Sequence, residues 1–554
     1  MTILSDIPSD WWKSAVLYQI YPRSFYDANN DGIGDLKGIT SKLDYLNDGK
    51  GNGLGVDGIW LSPFYKSPMK DFGYDVSDYL DVDPIFGTLD DFDELIAHAH
   101  SRGIKILVDL VLNHSSDLHP WFLESKTSRD NPKADWYLWV DKPGHGGLPN
   151  NWLSVFGGSA WEYCEERDQY YYHSFLKEQP DFNWYNPEVQ AAMETIITFW
   201  CRKGVDGFRL DTANFYAHDQ QLRDNPEYPS DHQALEERDG VEYDSFNNCY
   251  SKDRPENFDC LKLIRRSIEK CSPHITTIGE IGGIQDLDEL LKLASSYVHG
   301  SEHLHMAYTF SLLGSKTNSM DIATILGKTE KEIGDGWPCW SFGNHDCVRV
   351  RTRSENSLGK VEFYLNLMLL LLCFRGTPII YYGDELGVEE YKVKKEDLQD
   401  PFGIAYWPDY PGRDGCRTPF PWELNHPSQG FNSGQTSWLP TTSPVALMKD
   451  GVLENSMFEL TREMITFRKS QPALQTGSYN QVAANPSVFA FQRTLDNERV
   501  FIACNFSGSQ QELFVGDDWQ EKTLNHFTRN GKLDGLSLDL PPYGFSLLVS
   551  KQHL

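Results

Sequence analysis

The chain has 554 residues, more than one ordinary hydrophobic core needs, so we expect two or three domains. Aromatic residues make up 13% of the composition, which excludes an intrinsically disordered chain. The formal net charge is −30, from 50 basic and 80 acidic residues, and this disfavours nucleic acids, anionic membranes and anionic ligands as partners.

The N-terminal residues, MTILSDIP, contain no basic stretch followed by an apolar one, so no secretory signal is predicted. The most apolar run, residues 365–374, is too short to span a bilayer and is typical of a buried helix. The ten cysteines form no CxxC pair, which favours free thiols in a reducing compartment. We therefore expect a cytoplasmic protein without a membrane segment.

Apolar stretches rich in β-branched residues alternate with amphipathic stretches of helical period, the pattern of repeated βα units. Eight candidate strands follow in chain order, at residues 16–21, 58–63, 104–112, 204–211, 276–281, 303–309, 339–344 and 378–382. Eight such units predict an α/β chain folded as a parallel (β/α)8 barrel, the TIM barrel.

The spacing of these strands indicates two further domains. About ninety residues, rich in Trp, Tyr, Gly and Pro, separate the third strand from the fourth, which predicts a small inserted domain at 115–184. From about residue 474 the pattern changes to short alternating strands, which predicts a C-terminal antiparallel β-sandwich domain at 474–554. The barrel then comprises residues 1–114 and 185–473.

Three strand ends each deliver a carboxylate: Asp211, Glu280 and Asp346. The C-terminal ends of barrel strands meet at one mouth, so we expect these acids to converge in the layout that breaks a glycosidic bond. Arg209 and Asp211 point the same way on one strand, and the guanidinium would keep Asp211 ionised, as a nucleophile requires. Glu280 follows an apolar stretch, where a raised pKa suits a general acid.

Each of these features has a plainer explanation when taken alone. Arg209 and Asp211 could form a structural ion pair, Glu280 could be an exposed strand end, and the Asn-His-Asp segment that ends at Asp346 could be a turn. A further strand end at 109–114 adds an acid, an amide and an imidazole. Four such strand ends in one chain favour a common site over independent accidents.

These four segments resemble, in order and spacing, the signature regions of the α-amylase family, glycoside hydrolase family 13, and above all its oligosaccharide-acting branch. The resemblance extends from WKSAVLYQIYP, which begins at residue 12, to the terminal β domain. It implies a retaining, exo-acting α-glucosidase with Asp211 as nucleophile, Glu280 as acid and then base, and Asp346 as transition-state stabiliser. The implied partner is a short sugar such as maltose or sucrose, bound by a monomer or homodimer.

The resemblance also implies which residues surround the sugar. Asp71 and Arg413 would pair and block the far end of the pocket, which restricts attack to the terminal glucose unit; Arg417 lies in the same motif. Phe156, Phe175 and Gln179 of the predicted inserted domain would flank the site. The other implied contacts are Tyr74, His114, Arg209, Thr212 and His345.

The residue after the nucleophile bears on the linkage that is cleaved. In this branch it is often Val in enzymes that prefer α-1,6 bonds and a smaller or polar residue in those that prefer α-1,4 bonds. Thr212 therefore predicts α-1,4. The segment Ile281-Gly282-Gly283 is similar to α-glucosidases that transfer glucose to alcohols and phenols, so we expect transglucosylation as a secondary activity.

Residues 27–35, DANNDGIGD, place oxygen-bearing side chains at alternate positions, with a glycine at the sixth. An EF-hand is excluded, because its twelfth position would be Gly38 instead of Glu. The family resemblance implies a structural Ca²⁺, or Mg²⁺, held by Asp27, Asn29, Asp31, the Ile33 carbonyl and Asp35. A Gly/Asn turn without metal is the alternative, and no motif predicts an organic cofactor.

Two other functions remain open at this point. A transglycosylase of the sucrose isomerase or trehalose synthase type would use the same pocket, with a sugar acceptor in place of water. A non-catalytic binding protein, like the amylase-like heavy subunits of amino acid transporters, is disfavoured, because this chain carries the complete acid set and no predicted membrane span.

Overall fold

The computed structural model describes residues 10–144, 146–229, 241–300, 302–314, 318–358, 361–423, 426–434, 436–441 and 454–551. The outer ends of the predicted first and last domains, 1–9 and 552–554, lie outside the described residues. The eight predicted barrel strands and all the predicted site residues lie within the described residues, so their positions can be compared with the prediction.

Eight parallel strands form a barrel, as predicted. They are β1 (Leu17–Ile20), β2 (Gly58–Leu61), β3 (Lys105–Leu110), β4 (Gly207–Leu210), β5 (Thr276–Ile281), β6 (Met306–Thr309), β7 (Cys339–Trp340) and β8 (Thr377–Tyr381). Neighbours in the chain are neighbours in the sheet, and β1 also pairs with β8. A parallel bridge between Ala307 and Pro338 joins β6 to the start of β7, which closes the ring.

The barrel strands are buried along nearly their whole length, which is why they read as continuous apolar runs and not as alternating ones. The helix Leu89–Ser101 begins at a capping box formed by Thr88 and Asp91. The described helices are Pro22–Phe25, Leu36–Ser41, Leu43–Leu46, Leu89–Ser101, Pro120–Ser125, Pro187–Arg202, Asn257–Cys271, Leu287–Val298, Ser319–Glu332, Val350–Leu358, Val361–Leu371, Pro401–Tyr406, Glu454–Ser470 and Pro472–Thr476.

The seventh strand is shorter than predicted. It ends at Trp340, whereas the prediction continued it to residue 344. Beyond it, the Ser341 hydroxyl donates to the Gly343 carbonyl, and the Asn344 side chain accepts from the Asp346 N–H at 2.9 Å. These side-chain bonds compete with strand pairing and turn the chain into a loop. Asp346 therefore lies in a loop beyond β7 and not at a strand end.

A small antiparallel sheet lies between β3 and β4, within the residues predicted as an inserted domain. Its strands are Trp139–Asp141, Gln169–Tyr172 and Trp161–Cys164, in spatial order. It is tied to the barrel by a bridge between His114 and Asp181 and by a hydrogen bond from Trp184 Nε1 to the Leu112 carbonyl at 2.9 Å. A two-stranded sheet, Tyr65–Lys66 and Asp78–Val82, follows β2.

Two antiparallel sheets end the described chain and confirm the predicted β-sandwich. One contains Ser478–Ala484, Val488–Leu495, Glu498–Asn505, Phe545–Ser550 and Trp519–Lys522, and the other contains Gln511–Phe514, Ser537–Leu540 and Lys532–Asp534. Phe501 and Trp519 of the first sheet pack with Leu538 and Leu540 of the second, so the hydrophobic core lies between the sheets.

Two sequence predictions about the chain as a whole can be compared with the structure. The ten cysteines are all free thiols, as predicted. Within the described residues, no helix is long and apolar enough to cross a membrane. The apolar run at 365–374 begins in the helix Val361–Leu371 and is buried at nearly every position, as expected for a helix packed on the barrel.

Candidate active site

The three predicted acids line one cleft at the C-terminal mouth of the barrel. Asp211 directly follows β4, Glu280 lies near the end of β5, and Asp346 lies in the loop after β7. The cleft has a volume of about 910 Å³, including its open mouth. One bound molecule can therefore contact all three acids, although they are far apart in the chain.

Arg209 of β4 lies beneath the cleft and binds two of these acids. Its Nη1 donates to Asp211 Oδ1 at 2.6 Å, and its Nη2 lies 2.6 Å from Glu280 Oε2. Its Nη1 also donates to Asp109 Oδ1 at 2.8 Å. Asp109 was not predicted as a site residue, but it pairs in register with Arg209 across β3 and β4, so the strand alignment carries the signal. One guanidinium thus holds three carboxylates.

Burial raises the pKa of every carboxyl around Arg209. The pKa reaches about 6 for Asp109, about 7 for Asp211 and about 7 for Glu280, because desolvation outweighs the attraction of the guanidinium. The raised pKa predicted for Glu280 is confirmed. The prediction that Arg209 keeps Asp211 ionised is wrong, because burial and the charge of Asp109 outweigh the guanidinium and raise the pKa of Asp211. One positive charge cannot balance three negative ones, so this cluster retains a proton near neutral pH.

Asp346 has the opposite tendency. Burial would raise its pKa, but positive charge around it brings the pKa well below the ordinary value. Its Oδ1 lies 3.2 Å from Arg413 Nη1 and 3.0 Å from Arg417 Nη2. Burial lowers the pKa of the neighbouring His345 to about 3, so that imidazole is neutral near pH 7 and the two arginines supply the charge. Asp346 is therefore an anion.

The closed end of the cleft is built around Arg413. Its Nη2 lies 2.8 Å from Asp71 Oδ1 and 2.8 Å from Asp400 Oδ1, so the predicted pair with Asp71 forms. Gln179 supports this pair from behind, donating from Nε2 to Asp71 Oδ2 at 3.1 Å. Because these groups are buried and bonded to each other, a sugar chain cannot extend past them.

Tyr74 and the two histidines form a polar wall beside the acids. The rings of Tyr74 and His345 stack with centroids 5.3 Å apart and an interplanar angle of 3°, and Tyr74 Oη lies 2.6 Å from His345 Nε2. His114 Nε2 lies 3.2 Å from the Tyr74 carbonyl and 3.2 Å from Gln179 Nε2. Burial lowers the pKa of His114 to about 3. Both imidazoles are therefore neutral hydrogen-bonding groups near pH 7.

Aromatic rings form the outer wall of the cleft. Phe156 and Phe175 line it as predicted, and four further rings line it that the sequence did not identify: Phe215, Phe310, Phe402 and Tyr410. The centroid of Phe156 lies 5.1 Å from that of Phe402, and the centroid of Phe175 lies 5.4 Å from that of Phe215. Phe402 lies in the short helix Pro401–Tyr406 and Tyr410 just after it, within the long segment that follows β8 and has no periodic signal in the sequence.

Thr212 adopts a backbone conformation that is uncommon for a β-branched residue. Its φ is 42°, in the left-handed region. In this conformation its N–H donates to Glu280 Oε2 at 3.0 Å, and the residue lines the cleft. Strained conformations of this kind persist where the surrounding structure enforces them, and they cluster at active sites.

The remaining predicted residues divide into two groups. Gln179 and Arg209 are fully buried and lie behind the cleft, where they orient other side chains. The rest of the predicted sugar contacts are in the lining itself: Asp71, Tyr74, His114, Phe156, Phe175, Thr212, His345 and Arg413. The structure thus brings the whole predicted set to one place.

The predicted metal loop is ordered by its own hydrogen bonds. Asp27 accepts from the N–H groups of Asn30 and Gly32, and Asp35 accepts from those of Ala28, Asn29 and Gly38. Hard oxygen donors suit Ca²⁺, so the chemistry of the predicted donors Asp27, Asn29, Asp31, Ile33 and Asp35 fits this ion. Among the described residues, however, no group of three or more His, Cys, Asp or Glu is arranged to hold a metal.

Comparison with known proteins agrees with this geometry. The family described as "Alpha amylase, catalytic domain" matches residues 19–477, and "Alpha-amylase SusG C-terminal domain" matches 488–544. A Rhizobium meliloti protein named "Probable alpha-glucosidase" is 47% identical over 504 residues, covering 90% of each chain. The "Oligo-1,6-glucosidase" of Parageobacillus thermoglucosidasius is 38% identical, covering 95% of each.

A solved structure of an alpha-glucosyl transfer enzyme, XgtA, is similar along nearly the whole chain. It superimposes with a TM-score of 0.91 at 42% identity, covering 98% of this chain and 99% of the other. The family match spans most of the residues, and it includes β4, β5 and the loop after β7, which supply the three acids. The chain therefore belongs to the α-amylase family of glycoside hydrolases.

Proposed function

We propose that this protein is a retaining, exo-acting α-glucosidase that hydrolyses terminal α-glucosidic bonds of short oligosaccharides. The observation that carries the proposal is a cleft with one closed end, in which Asp211 and Glu280 share one guanidinium while Asp346 faces two. Relatives named as α-glucosidases, matching over most of the chain, support the same activity.

Asp211 and Glu280 divide the two chemical roles. The Asp211 carboxylate attacks the anomeric carbon while Glu280 donates its proton to the leaving oxygen, giving a covalent glucosyl-enzyme. Glu280, now ionised, takes a proton from water, and this water releases glucose from Asp211. The two carboxyls titrate as a coupled pair, each with a pKa raised to about 7, and the mechanism uses the form in which Glu280 carries the proton and Asp211 is ionised.

Asp346 and the closed end set the position of the sugar. Asp346 stays ionised, so it accepts hydrogen bonds from sugar hydroxyls and favours the positive charge that develops at the ring in the transition state. Asp71 and Arg413 lie where the chain of a longer sugar would have to continue. The site therefore accepts the last glucose unit and not an internal one.

We also propose a preference for α-1,4 bonds and a secondary transfer activity. Thr212 carries a hydroxyl in the cleft wall next to Asp211, the position at which the branch varies with linkage. The similarity to an α-glucosyl transfer enzyme supports transfer, which requires only an acceptor that competes with water for the glucosyl-enzyme. The relative named as an oligo-1,6-glucosidase favours α-1,6 bonds instead, so the linkage preference has to be decided from the reaction products.

The experiment is incubation with maltose, isomaltose and sucrose, followed by identification of the products over time. We expect glucose released with retained α-configuration, faster from maltose than from isomaltose, with transfer products when an alcohol is added. Trehalulose, isomaltulose or trehalose as the main product would instead support the transglycosylase alternative. Release of maltose from the interior of longer chains would contradict exo action.

The structural Ca²⁺, or Mg²⁺, at residues 27–35 remains a proposal supported by the donor chemistry. The loop connects the helices Pro22–Phe25 and Leu36–Ser41, and Asp27 also accepts from Asn432 Nδ2 at 2.7 Å, so an ion there would stabilise the contact between two distant segments. Chelation should lower the melting temperature more than it lowers the turnover of the protein that stays folded. An unchanged melting curve would contradict the metal site.

Partners and compartment follow from the same reasoning. We propose a neutral short oligosaccharide as the only substrate class, because a net charge of −30 disfavours anionic ligands. We keep a cytoplasmic location as a proposal, supported by ten free cysteines, of which five are buried. A monomer or homodimer is likewise proposed, and light scattering of the purified protein would decide between them.

A further inference from the structure

A buried acid outside the cleft, Asp400, holds the arginine that closes the glucose pocket. Asp400 is fully buried and does not line the cleft. Its Oδ1 accepts from Arg413 Nη2 at 2.8 Å, and its Oδ2 accepts from the Arg413 backbone N–H at 2.7 Å. Arg413 Nε lies 3.2 Å from both oxygens. One carboxylate thus fixes both the backbone and the guanidinium of the same arginine.

The other contacts of this guanidinium are with acids of the cleft. Arg413 Nη2 donates to Asp71 Oδ1 at 2.8 Å, and Nη1 donates to Asp346 Oδ1 at 3.2 Å. Each of these two acids contacts a single nitrogen, whereas Asp400 contacts two nitrogens of the side chain and one of the backbone. The orientation of the guanidinium is therefore determined by Asp400 more than by Asp71 or Asp346.

Close backbone packing makes this contact possible. Asp400 caps the helix Pro401–Tyr406, accepting from the Phe402 N–H at 3.3 Å. The helix approaches the segment before Arg413 so closely that a Cβ at Gly403 would lie 2.5 Å from the Pro411 carbonyl oxygen. A Cβ at Gly412 would lie 2.6 Å from Asp400 Oδ2. A side chain at either glycine would force the two segments apart.

The same helix contributes to the outer wall of the cleft. Phe402 lines the cleft and packs on Phe156, with the ring centroids 5.1 Å apart. Arg413 Cζ lies 4.9 Å from the centroid of the same Phe156 ring. Asp400 therefore joins the backbone of Phe402, near the outer wall, to the guanidinium at the closed end.

We propose that Asp400 is a positioning residue, which orients Arg413 so that its guanidinium holds Asp71 and Asp346 where the terminal glucose requires them. This inference rests on the proposed function, because it gives the closed end a role in binding glucose. If the role of Asp400 were purely structural, replacing it would lower kcat/KM by the same factor whether or not Arg413 is present. If Asp400 positions Arg413, replacing Asp400 lowers kcat/KM only when Arg413 is present.

The test is a double-mutant cycle on kcat/KM for maltose with Asp400→Asn, Arg413→Ala and the double variant. Asn keeps an oxygen that can cap the helix but removes the charge and one acceptor. We expect Asp400→Asn to lower kcat/KM about 100-fold, since small displacements in a catalytic site cost this much. In the Arg413→Ala background, Asp400→Asn should cause no further loss beyond about two-fold.

A matched control is Asp384→Asn, which changes a buried acid that pairs with Arg349 at 3.5 Å. In the double variant, the factor by which Asp384→Asn lowers kcat/KM should multiply with the factor for Arg413→Ala, because the described contacts of Asp384 do not include Arg413. If the factors by which Asp400→Asn and Arg413→Ala lower kcat/KM also multiply in the double variant, the positioning role is overturned. If Asp400→Asn does not fold by circular dichroism, Asp400→Ser replaces it, because serine also caps helices well.

The same cycle is run on the affinity for glucose, measured by calorimetry, which does not require turnover. Asp400→Asn should weaken glucose binding at least about ten-fold only when Arg413 is present, and equal weakening in both backgrounds overturns the inference. A wild-type protein that binds glucose but hydrolyses no α-glucoside would contradict the proposed function alone. The two failures are therefore distinguishable.

Discussion

Two clusters at the mouth of the barrel contain the same kinds of groups in different proportions. Around Arg209, the three acids Asp109, Asp211 and Glu280 share one guanidinium. Around Arg413, the three acids are Asp71, Asp346 and Asp400, and Arg417 adds a second guanidinium at Asp346. Both clusters are buried except for Asp346, whose side chain is 20% exposed, so desolvation acts on both.

The outcomes differ because of the ratio of charges. The pKa of each acid at Arg209 is raised, whereas in the Arg413 cluster desolvation raises the pKa of Asp71 but the pKa values of Asp346 and Asp400 are lowered. The first cluster therefore keeps a mobile proton, which acid–base catalysis needs, and the second keeps fixed negative charges at Asp346 and Asp400, of which Asp346 faces the sugar and stabilises its cation. The count of arginines, more than burial, separates reaction from binding here.

The largest expected effect comes from removing the nucleophile in the first cluster. Asp211→Asn should lower kcat/KM by about 10⁴-fold or more, because the covalent step is lost. Mass spectrometry after rapid quenching should show no glucosyl-enzyme. Asp109→Asn is the matched control, because Asp109 binds the same guanidinium but does not line the cleft. It should lower kcat/KM far less than Asp211→Asn does. Turnover near the wild-type level in Asp211→Asn would refute the assignment.

The next effect tests which member of that cluster supplies the proton. Glu280→Gln should lower kcat/KM for maltose about 10²–10⁴-fold, the range for a lost general acid. It should spare aryl glucosides with acidic phenols, because such leaving groups depart without a proton. The measurement is the ratio of the two losses. Equal losses on maltose and on the aryl glucoside would count against the acid role.

The smallest effect concerns pH and compares the two clusters directly. With the pKa of Glu280 near 7, kcat/KM should fall above that pH, as the acid loses its proton. Asp346 stays ionised at acid pH, so it should not limit activity there. The acid limb is set instead by Asp211, which must be ionised to attack and whose pKa burial raises to about 7. Arg417→Gln leaves Asp346 one guanidinium and should raise its pKa, but Asp346 stays ionised near neutral pH, so the acid limb should move by less than about half a unit.

Arg417→Lys is the control for this pH experiment, because it keeps the positive charge beside Asp346 and should leave the acid limb in place. The alkaline limb should stay in place in both variants, since Arg417 does not contact Glu280 among the described bonds. A shift of the alkaline limb alone would mean that the two clusters do not titrate independently, and the comparison would fail.

Local sequence predicted the parts of the site that lie on regular elements. Asp211 directly follows one apolar strand and Glu280 lies near the end of another, and the order of eight such strands specifies one closed barrel, so their convergence could be inferred. Asp346 was placed at a strand end and is found in a loop, because local side-chain bonds at Ser341 and Asn344 end the strand early. Its function does not depend on that error, since the loop still reaches the cleft.

Sequence by itself determined the fold class and the acids, because periodicity and motif spacing are properties of the chain, and the residues of the closed pocket were implied by the family resemblance. Only the tertiary structure decided which acids share a guanidinium and how many guanidinia each receives. Asp400 and the wall residues Phe402 and Tyr410 were found only there, as was the bond between Asp109 and Arg209. The physical reason is that charge balance and desolvation depend on distances between distant segments, which no local pattern records.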